Sequence, residues 1–263
     1  MMGKPTERSA RGERRPGLAT AVRFLTIVPA PGREPAGTGA LGRAAGWFPP
    51  VGLGIGALLV VADHLLVFVF PPLLVALLVL ALWKCLTGGI HLDGLADCLD
   101  GLAGSDPERS LAIMRDSRVG VFGALGLILL LLIEWVTLAE LPPHLRWRAL
   151  LLAPMAGRFT PVLLARVSVP ATPGHGQGAA FIRGVTLWAL VSGGGLLLLV
   201  PGLLLWPWGW AVTAAGLAVA WGGARFFSLR LGGLTGDGLG ASVELTELGI
   251  LLVMAAVARL QLG

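Results

Sequence analysis

Long apolar runs separated by short polar loops constrain this chain more than any other feature. A run of about 20 apolar residues crosses a bilayer as a helix, since the hydrocarbon core is roughly 30 Å thick. Of the 263 residues, 55% are hydrophobic and only 13% charged, more apolar surface than a soluble core absorbs. The pattern predicts an all-α, polytopic integral membrane helical bundle with about seven transmembrane helices, near residues 49–70, 72–87, 119–141, 149–168, 184–206, 207–224 and 241–260.

The chain before the first span divides into a tail and a short helix. Residues 1–16 are basic and have no apolar face, so we expect a disordered cytoplasmic tail with affinity for anionic headgroups. Residues 17–32 are too short to span and are interrupted by Arg23, which favours an additional interfacial or re-entrant helix. Residues 17–263 are then expected to form a single transmembrane catalytic domain.

The distribution of basic residues predicts the orientation. With the N-terminus in the cytoplasm, seven spans leave only Arg146, Arg148 and Arg259 of the 20 Lys and Arg residues outside, as the positive-inside rule expects. Every polar, Gly-rich loop then lies on the cytoplasmic side. The net charge of +5 therefore indicates orientation and phosphate binding. Nucleic-acid binding is not expected, because basic residues are not interleaved with aromatic ones on a soluble face.

An acidic stripe lies in TGGIHLDGLADCLDG, between the second and third apolar runs. Asp93, Asp97 and Asp100 are separated by four and then three residues, so a helix places them on one face. Three like charges on one helix face repel one another, and a cation among them would offset this repulsion. Carboxylate oxygens are the ligands of hard cations such as Mg²⁺. A solvated acidic face is the alternative. His91, two residues earlier, is placed to donate to a phosphate or to relay a proton.

A second acidic element, LGGLTGDGLGASVELTELG, opens the last span. Asp237 and Glu244 are seven residues apart and share a face if the helix begins early. Gly238 and Gly240 favour a turn instead, in which backbone amides approach a phosphate. Glu247 lies one turn deeper, and the sequence leaves open whether it is a ligand or a hydrogen-bonded residue of the bundle.

Arginine side chains accompany these acidic elements. Arg115 and Arg118 follow the first element, where they either bind phosphate bidentately or anchor the helix to headgroups. Arg158 falls inside a predicted span, so a carboxylate or a substrate phosphate must meet it. Arg183 ends the Gly-rich segment VPATPGHGQGAAFIRG, which is either a lid over the site or a plain connector.

Five motifs resemble those of the cobalamin synthase family, the adenosylcobinamide-GDP ribazoletransferases of bacterial inner membranes. They are RFLTIVPAP, Arg43 with FPPVGLGIG, TGGIHLDGLADCLDG, MRDSRVGVFG and LGGLTGDGLGASVEL. The resemblance implies a Mg²⁺-dependent transferase that joins α-ribazole, or its 5′-phosphate, to adenosylcobinamide-GDP and releases GMP. It also implies an inner-membrane location and makes the acidic motif residues part of the site: Asp93, Asp97, Asp100 and Asp237.

The residues and the resemblance together predict a site at the cytoplasmic face. Catalytic roles are expected for His91, Asp100 and Glu244, and metal binding for Asp93, Asp97, Asp100, Asp237 and Glu244. Substrate binding is expected for Arg43, Arg115, Arg118, Arg158 and Arg183.

Two other functions remain alternatives. DGLADCLDG is analogous to the motif of CDP-alcohol phosphotransferases, which favours a phospholipid-type reaction as the second choice. A metal-ion or proton-coupled transporter would use the same carboxylates, but transporters often show paired halves and no internal repeat is detectable here. The expected partners are the corrinoid nucleotide, α-ribazole and membrane lipids, and whether the protein is a homodimer is left open.

Overall fold

The computed structural model describes residues 17–31, 39–172 and 176–262, and this part of the chain is a bundle of helices without strands. The predicted all-α membrane bundle is therefore confirmed, whereas the predicted tail at residues 1–16 lies outside the described residues. The helices are α1 Leu18–Leu25, α2 Ala40–Ala44, α3 Phe48–Leu66, α4 Pro72–Leu86, α5 Ile90–Asp100, α6 Pro107–Met114, α7 Val121–Glu140, α8 Pro143–Val167, α9 Gly176–Gly184, α10 Leu187–Leu204, α11 Gly209–Leu231 and α12 Gly236–Leu262.

Six of these elements are long and apolar enough to cross a membrane. They are Ala40–Leu66, which joins α2 to α3, and α7, α8, α10, α11 and α12. Helix α4 has only 15 residues and qualifies only together with α5, from which it is bent by 87°. Counting this broken pair as one span gives seven. The bend lies at Gly88 and Gly89, whose φ angles of 62° and 69° are in the left-handed region that favours glycine.

The predicted span at 149–168 begins earlier than its apolar run indicates. Helix α8 starts at Pro143, so Arg146 lies inside the helix and not in the connecting loop. Arg146 Nε lies 3.0 Å from Oδ1 of Asp63 on α3, and both side chains are buried. Pairing removes much of the cost of placing a charge in the bundle. The hydropathy pattern missed this turn because the arginine's partner lies in a different span.

Helix α12 is the central element of the bundle. It packs against α5, α7, α8 and α11, and its buried residues Ile250, Leu251 and Met254 belong to the main hydrophobic core. Helices α3 and α8 form another close pair, in which Gly52 lies against the backbone of Pro154 and Gly56 against that of Leu150. Small residues allow membrane helices to approach this closely.

Short elements gather at the end of the bundle where α3 and α12 begin. Helix α1 is eight residues long and packs on α2 and α3, in agreement with the additional short N-terminal helix predicted from the sequence. Ile27, which follows α1, donates its backbone N–H to Leu86 O at the end of α4. A parallel bridge joins Pro170 to Leu234, so the segment before α9 is fastened to the segment before α12. These connections surround one cavity.

Candidate functional site

A cavity of about 500 Å³ lies among the short elements and the ends of the long helices. One wall is apolar and comes from α1, α2 and α3, which contribute Phe24, Leu25, Leu41 and Phe48. Other elements contribute the charged groups of the lining. The volume falls within the range of roughly 300–1,000 Å³ that is typical of small-molecule sites.

The polar wall unites side chains from both acidic elements with two arginines. Helix α5 contributes His91 and Asp93, helix α12 contributes Asp237, and Arg115 and Arg158 complete the set. These five were predicted as site residues from distant parts of the sequence, and the fold brings them to one cavity. Carboxylates and guanidinium groups around one space suit a ligand that carries both phosphate and a cation.

The close crossing of α5 and α12 is what brings the two acidic elements together. A Cβ atom on Gly94 would lie 2.8 Å from the backbone oxygen of Asp237, so no larger residue fits there without a shift. Gly240 in turn faces the Cα atom of His91. Glycine at both positions lets the helix backbones touch, and the aspartates of the two helices therefore flank the same contact.

Three aspartates at this crossing form what we call the aspartate cluster: Asp93, Asp97 and Asp237. The carboxylate of Asp97 experiences the negative charges of both other members and of Asp100. Asp93 is exposed, and Asp97 and Asp237 are half-buried. Within the described residues, no Lys or Arg forms an ion pair with any of them. In the part of the chain that the structure describes, only Glu134, Glu244 and Glu247 bring three carboxylates within 4.8 Å of one another, so the aspartate cluster is more widely spaced than that group. Partly accessible carboxylates on adjoining helices nevertheless have the chemistry of a divalent cation site that water and substrate oxygens complete.

Asp100 has a different environment from the aspartate cluster, although it lies on α5 together with Asp93 and Asp97. Its carboxylate accepts the backbone N–H of Gly120 at 2.7 Å and that of Gly123 at 2.8 Å. These are unpaired donors of the first turn of α7, so Asp100 caps that helix from a neighbouring element. The predicted metal-binding and catalytic roles of Asp100 stay predictions, and its observed contacts account for the residue without them.

A buried network of charges, which we call the lysine network, lies next to the cavity. Lys84 Nζ lies 3.2 Å from Oε1 of Glu134, 2.6 Å from Oε2 of Glu244 and 3.1 Å from Oε2 of Glu247. The three carboxylates lie within 4.8 Å of one another and have the spacing of a group that could hold a metal ion. Because Lys84 contacts all three, its ammonium group already supplies a positive charge at their centre.

Arg158 connects the lysine network to the cavity. Its Nη1 donates to Oε1 of Glu247, whose other oxygen binds Lys84. The sequence predicted that a carboxylate or a substrate phosphate must meet Arg158, and Glu247 is that partner. Arg158 Nε and His91 Nδ1 are buried and have no hydrogen-bond partner among the described residues. Both residues line the cavity, so a bound ligand that offers an acceptor to Arg158 and a hydrogen-bond partner to His91 would satisfy groups that are costly to leave unpaired.

The remaining predicted arginines lie outside the cavity lining. Arg118 is exposed and donates to both carboxylate oxygens of Asp116. This side-chain hydrogen bond lowers the pKa of Asp116 to about 2. Arg43 on α2 and Arg183 on α9 are also exposed. Substrate binding by these three arginines stays a prediction, and among the predicted arginines only Arg115 and Arg158 line the cavity.

Lys84 and Glu134 are the site-adjacent residues that the sequence interpretation missed. Each is a charged residue within an apolar run, Lys84 near the end of 72–87 and Glu134 inside 119–141. An ionisable side chain in such a run is by default paired or functional. Both residues therefore showed the signal that pointed to Arg158, namely an ionisable side chain within an apolar run.

The fold and the cavity define a multi-pass membrane protein whose site combines carboxylates with arginines. The sequence profile of the cobalamin-5-phosphate synthase family matches residues 17–255, and the chain belongs to this family. Relatives named adenosylcobinamide-GDP ribazoletransferase include proteins from Geotalea daltonii (39% identical, covering 90% of this chain and 96% of the relative) and Ectopseudomonas mendocina (40%, covering 89% and 96%). A third, from Acetivibrio thermocellus, is 36% identical and covers 86% of this chain and 92% of the relative. No solved structure matches the chain.

Proposed function

We propose that this protein joins α-ribazole, or its 5′-phosphate, to adenosylcobinamide-GDP and releases GMP, which forms adenosylcobalamin or its 5′-phosphate. The relatives named for this activity support the proposal over a CDP-alcohol phosphotransferase or a transporter. The structural observation that carries it is the polar wall, where aspartates from two helices face the same cavity as Arg115 and Arg158. Such a wall suits a pyrophosphate and the charge that develops on it.

The reaction exchanges a phosphoanhydride bond for a phosphate ester bond. A ribose hydroxyl of α-ribazole attacks the phosphorus that carries the cobinamide group, and the bridging P–O bond to GMP breaks. The hydroxyl proton must leave the nucleophile, and GMP leaves with the electron pair of the broken bond. Positioning and electrostatic stabilisation are the main contributions that a protein makes to such a displacement.

Arg158 and His91 have the geometry to take part in these steps. Arg158 is held by Glu247 and keeps a buried, unpartnered Nε, which we assign to a pyrophosphate oxygen. His91 has an unpartnered Nδ1, which we assign to the proton of the attacking hydroxyl. Arg115, an exposed residue of the cavity lining, is assigned to the departing GMP phosphate. Glu244 binds Lys84 and supports the wall from behind, which is an indirect catalytic role.

The aspartate cluster fits Mg²⁺ better than the buried glutamates do. Mg²⁺ keeps several waters and is usually held by one or two carboxylates plus substrate phosphates. Asp93 and Asp237 line the cavity, where water and phosphate reach them, whereas Glu134, Glu244 and Glu247 are buried around Lys84. We therefore assign Mg²⁺ to the aspartate cluster. When bound, the ion would neutralise charge on the pyrophosphate oxygens.

The proposed location is the bacterial inner membrane, with the cavity open to the cytoplasm. The positions of the basic residues in the sequence support this orientation, since three of the 20 Lys and Arg residues fall on the other side. Both substrates carry charged phosphate or polar sugar groups that are soluble in the cytoplasm. A cavity on that side receives them without moving them across the bilayer.

The proposal is tested with purified protein in lipid nanodiscs. Adenosylcobinamide-GDP, α-ribazole and Mg²⁺ are added, GMP release is followed by chromatography, and the corrinoid product is identified by mass spectrometry. We expect GMP and adenosylcobalamin in equal amounts, and neither when α-ribazole or Mg²⁺ is omitted. A parallel reaction with CDP-diacylglycerol and an alcohol acceptor tests the phospholipid alternative. Turnover of that lipid, or GMP release without a corrinoid product, would contradict the assigned reaction.

A further inference from the structure

Three phenylalanines from different parts of the chain form a row beside the cavity. The ring centroids of Phe24 and Phe48 are 5.8 Å apart with planes 21° from parallel, and those of Phe48 and Phe181 are 5.6 Å apart at 18°. These values describe offset stacking, the favourable arrangement for aromatic pairs. Phe24 belongs to α1, Phe48 to α3 and Phe181 to α9, so three separate elements present their rings in nearly parallel planes.

All three rings line the cavity as well as contacting one another. Phe48 and Phe181 are buried, and Phe24, at one end of the row, is only partly buried. The cavity residues of α1, α2 and α3 are all apolar, whereas the residues assigned to phosphate and metal come from α5, α8, α12 and the end of α6. The cavity lining therefore has two chemically different halves: the aromatic row, whose outer ring faces belong to Phe24 and Phe181, and the charged residues of the polar wall.

A nucleoside with a planar, weakly polar base matches these two halves. We propose that the phenylalanine row is the subsite for the bicyclic benzimidazole base of α-ribazole, and that it sets which bases the enzyme accepts. When the base stacks on an end of the row, the ribose lies in the same cavity as His91 and Arg158 of the polar wall, and its hydroxyls are directed to them. This inference rests on the proposed reaction and identifies which part of the cavity receives which substrate.

The guanine base of adenosylcobinamide-GDP is the other planar ring in the reaction. Guanine carries several donors and acceptors, which would be left without partners against a wall of Phe24, Leu25, Leu41 and Phe48. A benzimidazole has no exocyclic donor and loses much less on burial. The volume of about 500 Å³ also suits a nucleoside, whereas a complete corrinoid is several times larger and must remain mainly outside.

The first experiment compares two acceptors in the Phe24→Leu enzyme. Leucine keeps an apolar surface but removes the flat ring, and Phe24 is the least buried member of the row. Loss of one base–aromatic stacking contact is expected to raise KM for α-ribazole by roughly tenfold, while KM for adenosylcobinamide-GDP changes less than about twofold. With an α-ribofuranoside of imidazole, whose single ring stacks less, the effect of the substitution should nearly disappear.

A second variant and a matched control guard against a general effect on folding. Phe24→Trp keeps a broad aromatic face and should retain a KM for α-ribazole close to that of the unchanged protein. Phe226 is an exposed phenylalanine on α11 that does not line the cavity, so Phe226→Leu should leave both KM values unchanged. Equilibrium dialysis with labelled α-ribazole, in the absence of the corrinoid substrate, should show the same order of affinities.

The possible results separate this inference from the proposed reaction. If Phe24→Leu raises KM for adenosylcobinamide-GDP instead, the row binds guanine and the inference is wrong. Unchanged KM values for both substrates would mean that the row is only part of the core, which also overturns the inference. Absence of GMP release from the unchanged protein with any nucleoside would contradict the reaction itself, whereas dialysis still reports whether the base binds.

Discussion

Arg158 of α8 donates a hydrogen bond to Glu247 of α12, and these residues expose only 1% and 0% of their surface. The pair lies between the cavity and Lys84, so it joins a substrate-facing cation to a network of buried charges. Removal of one partner of a buried pair usually costs about 3–5 kcal/mol, because the other charge is left uncompensated. This relationship makes the position of Arg158 dependent on a residue that lies deeper in the bundle.

We expect Glu247→Gln to lower both stability and turnover. The amide cannot compensate the charges of Arg158 and Lys84, so the melting temperature of the protein in detergent should fall and kcat should decrease at least tenfold. Arg146→Met is the matched control, because it breaks the buried pair with Asp63 at the opposite end of α3 and α8. That variant should lose stability and keep kcat/KM in the folded fraction. Equal losses of kcat in both variants would show that Glu247 acts through stability alone.

Lys84→Met should be among the most destabilising substitutions in the chain. It leaves Glu134, Glu244 and Glu247 close together with only Arg158 to compensate them, at a cost of about 3–5 kcal/mol. The double variant Lys84→Met/Glu134→Gln has one negative charge fewer and should recover part of the melting temperature. Unfolding curves of the two variants in the same detergent measure this recovery. No recovery in the double variant would contradict the account of the network as a balance of charges.

Substitution by asparagine should affect the aspartate cluster differently from Asp100, which caps α7. Asp93→Asn, Asp97→Asn and Asp237→Asn should each reduce turnover by orders of magnitude with little change in melting temperature, and should raise the Mg²⁺ concentration needed for half-maximal activity. Asp100→Asn should lower the melting temperature by the loss of part of a helix cap, about 0.5–2 kcal/mol, with little change in the Mg²⁺ requirement. Near-normal turnover in two of the three cluster variants at saturating Mg²⁺ would refute the metal assignment.

Arg115→Lys and Arg118→Lys provide another matched pair. Lysine keeps the charge but loses bidentate geometry, so kcat should fall for Arg115, which lines the cavity. Arg118 is engaged with Asp116 and lies outside the cavity lining, so the substrate binding predicted for it from the sequence requires that kcat or KM change in Arg118→Lys, whereas a role limited to this pair leaves both unchanged. Steady-state kinetics with adenosylcobinamide-GDP as the varied substrate distinguish the two. Unchanged kinetics for Arg115→Lys would remove Arg115 from the site.

The cytoplasmic orientation is tested by cysteine labelling. Cys85 and Cys98 are first replaced by Ser, and a single cysteine is introduced at Ser105, an exposed position after α5. An impermeant thiol reagent should label it in inside-out vesicles but not in intact cells. A cysteine at His144, exposed at the start of α8, should show the opposite pattern. Labelling of Ser105→Cys from outside intact cells would reverse the orientation.

The sequence predicted the helical class, the number of spans within one and the acidic elements that meet at the cavity. These features depend on local hydropathy and on spacing within one helix. It did not predict that Lys84 would meet Glu134 and Glu244, because these partners are 50 and 160 residues away. Helical spacing groups Asp100 with Asp93 and Asp97, but it cannot show that the oxygens of Asp100 cap α7, which begins 21 residues later. Pairings between helices depend on packing, which periodicity does not record.

The near-right-angle bend between α4 and α5 determines how the aspartates are presented to water. In a helix that crosses a bilayer, each turn lies about 5.4 Å deeper than the last, so successive carboxylates would meet increasingly different surroundings. The 87° bend turns α5 almost perpendicular to α4, so α5 runs along the membrane surface wherever α4 follows the membrane normal. Asp93 and Asp97 then differ little in depth. A cation held by these carboxylates would meet a pyrophosphate at the surface, without drawing the pyrophosphate into the hydrocarbon region.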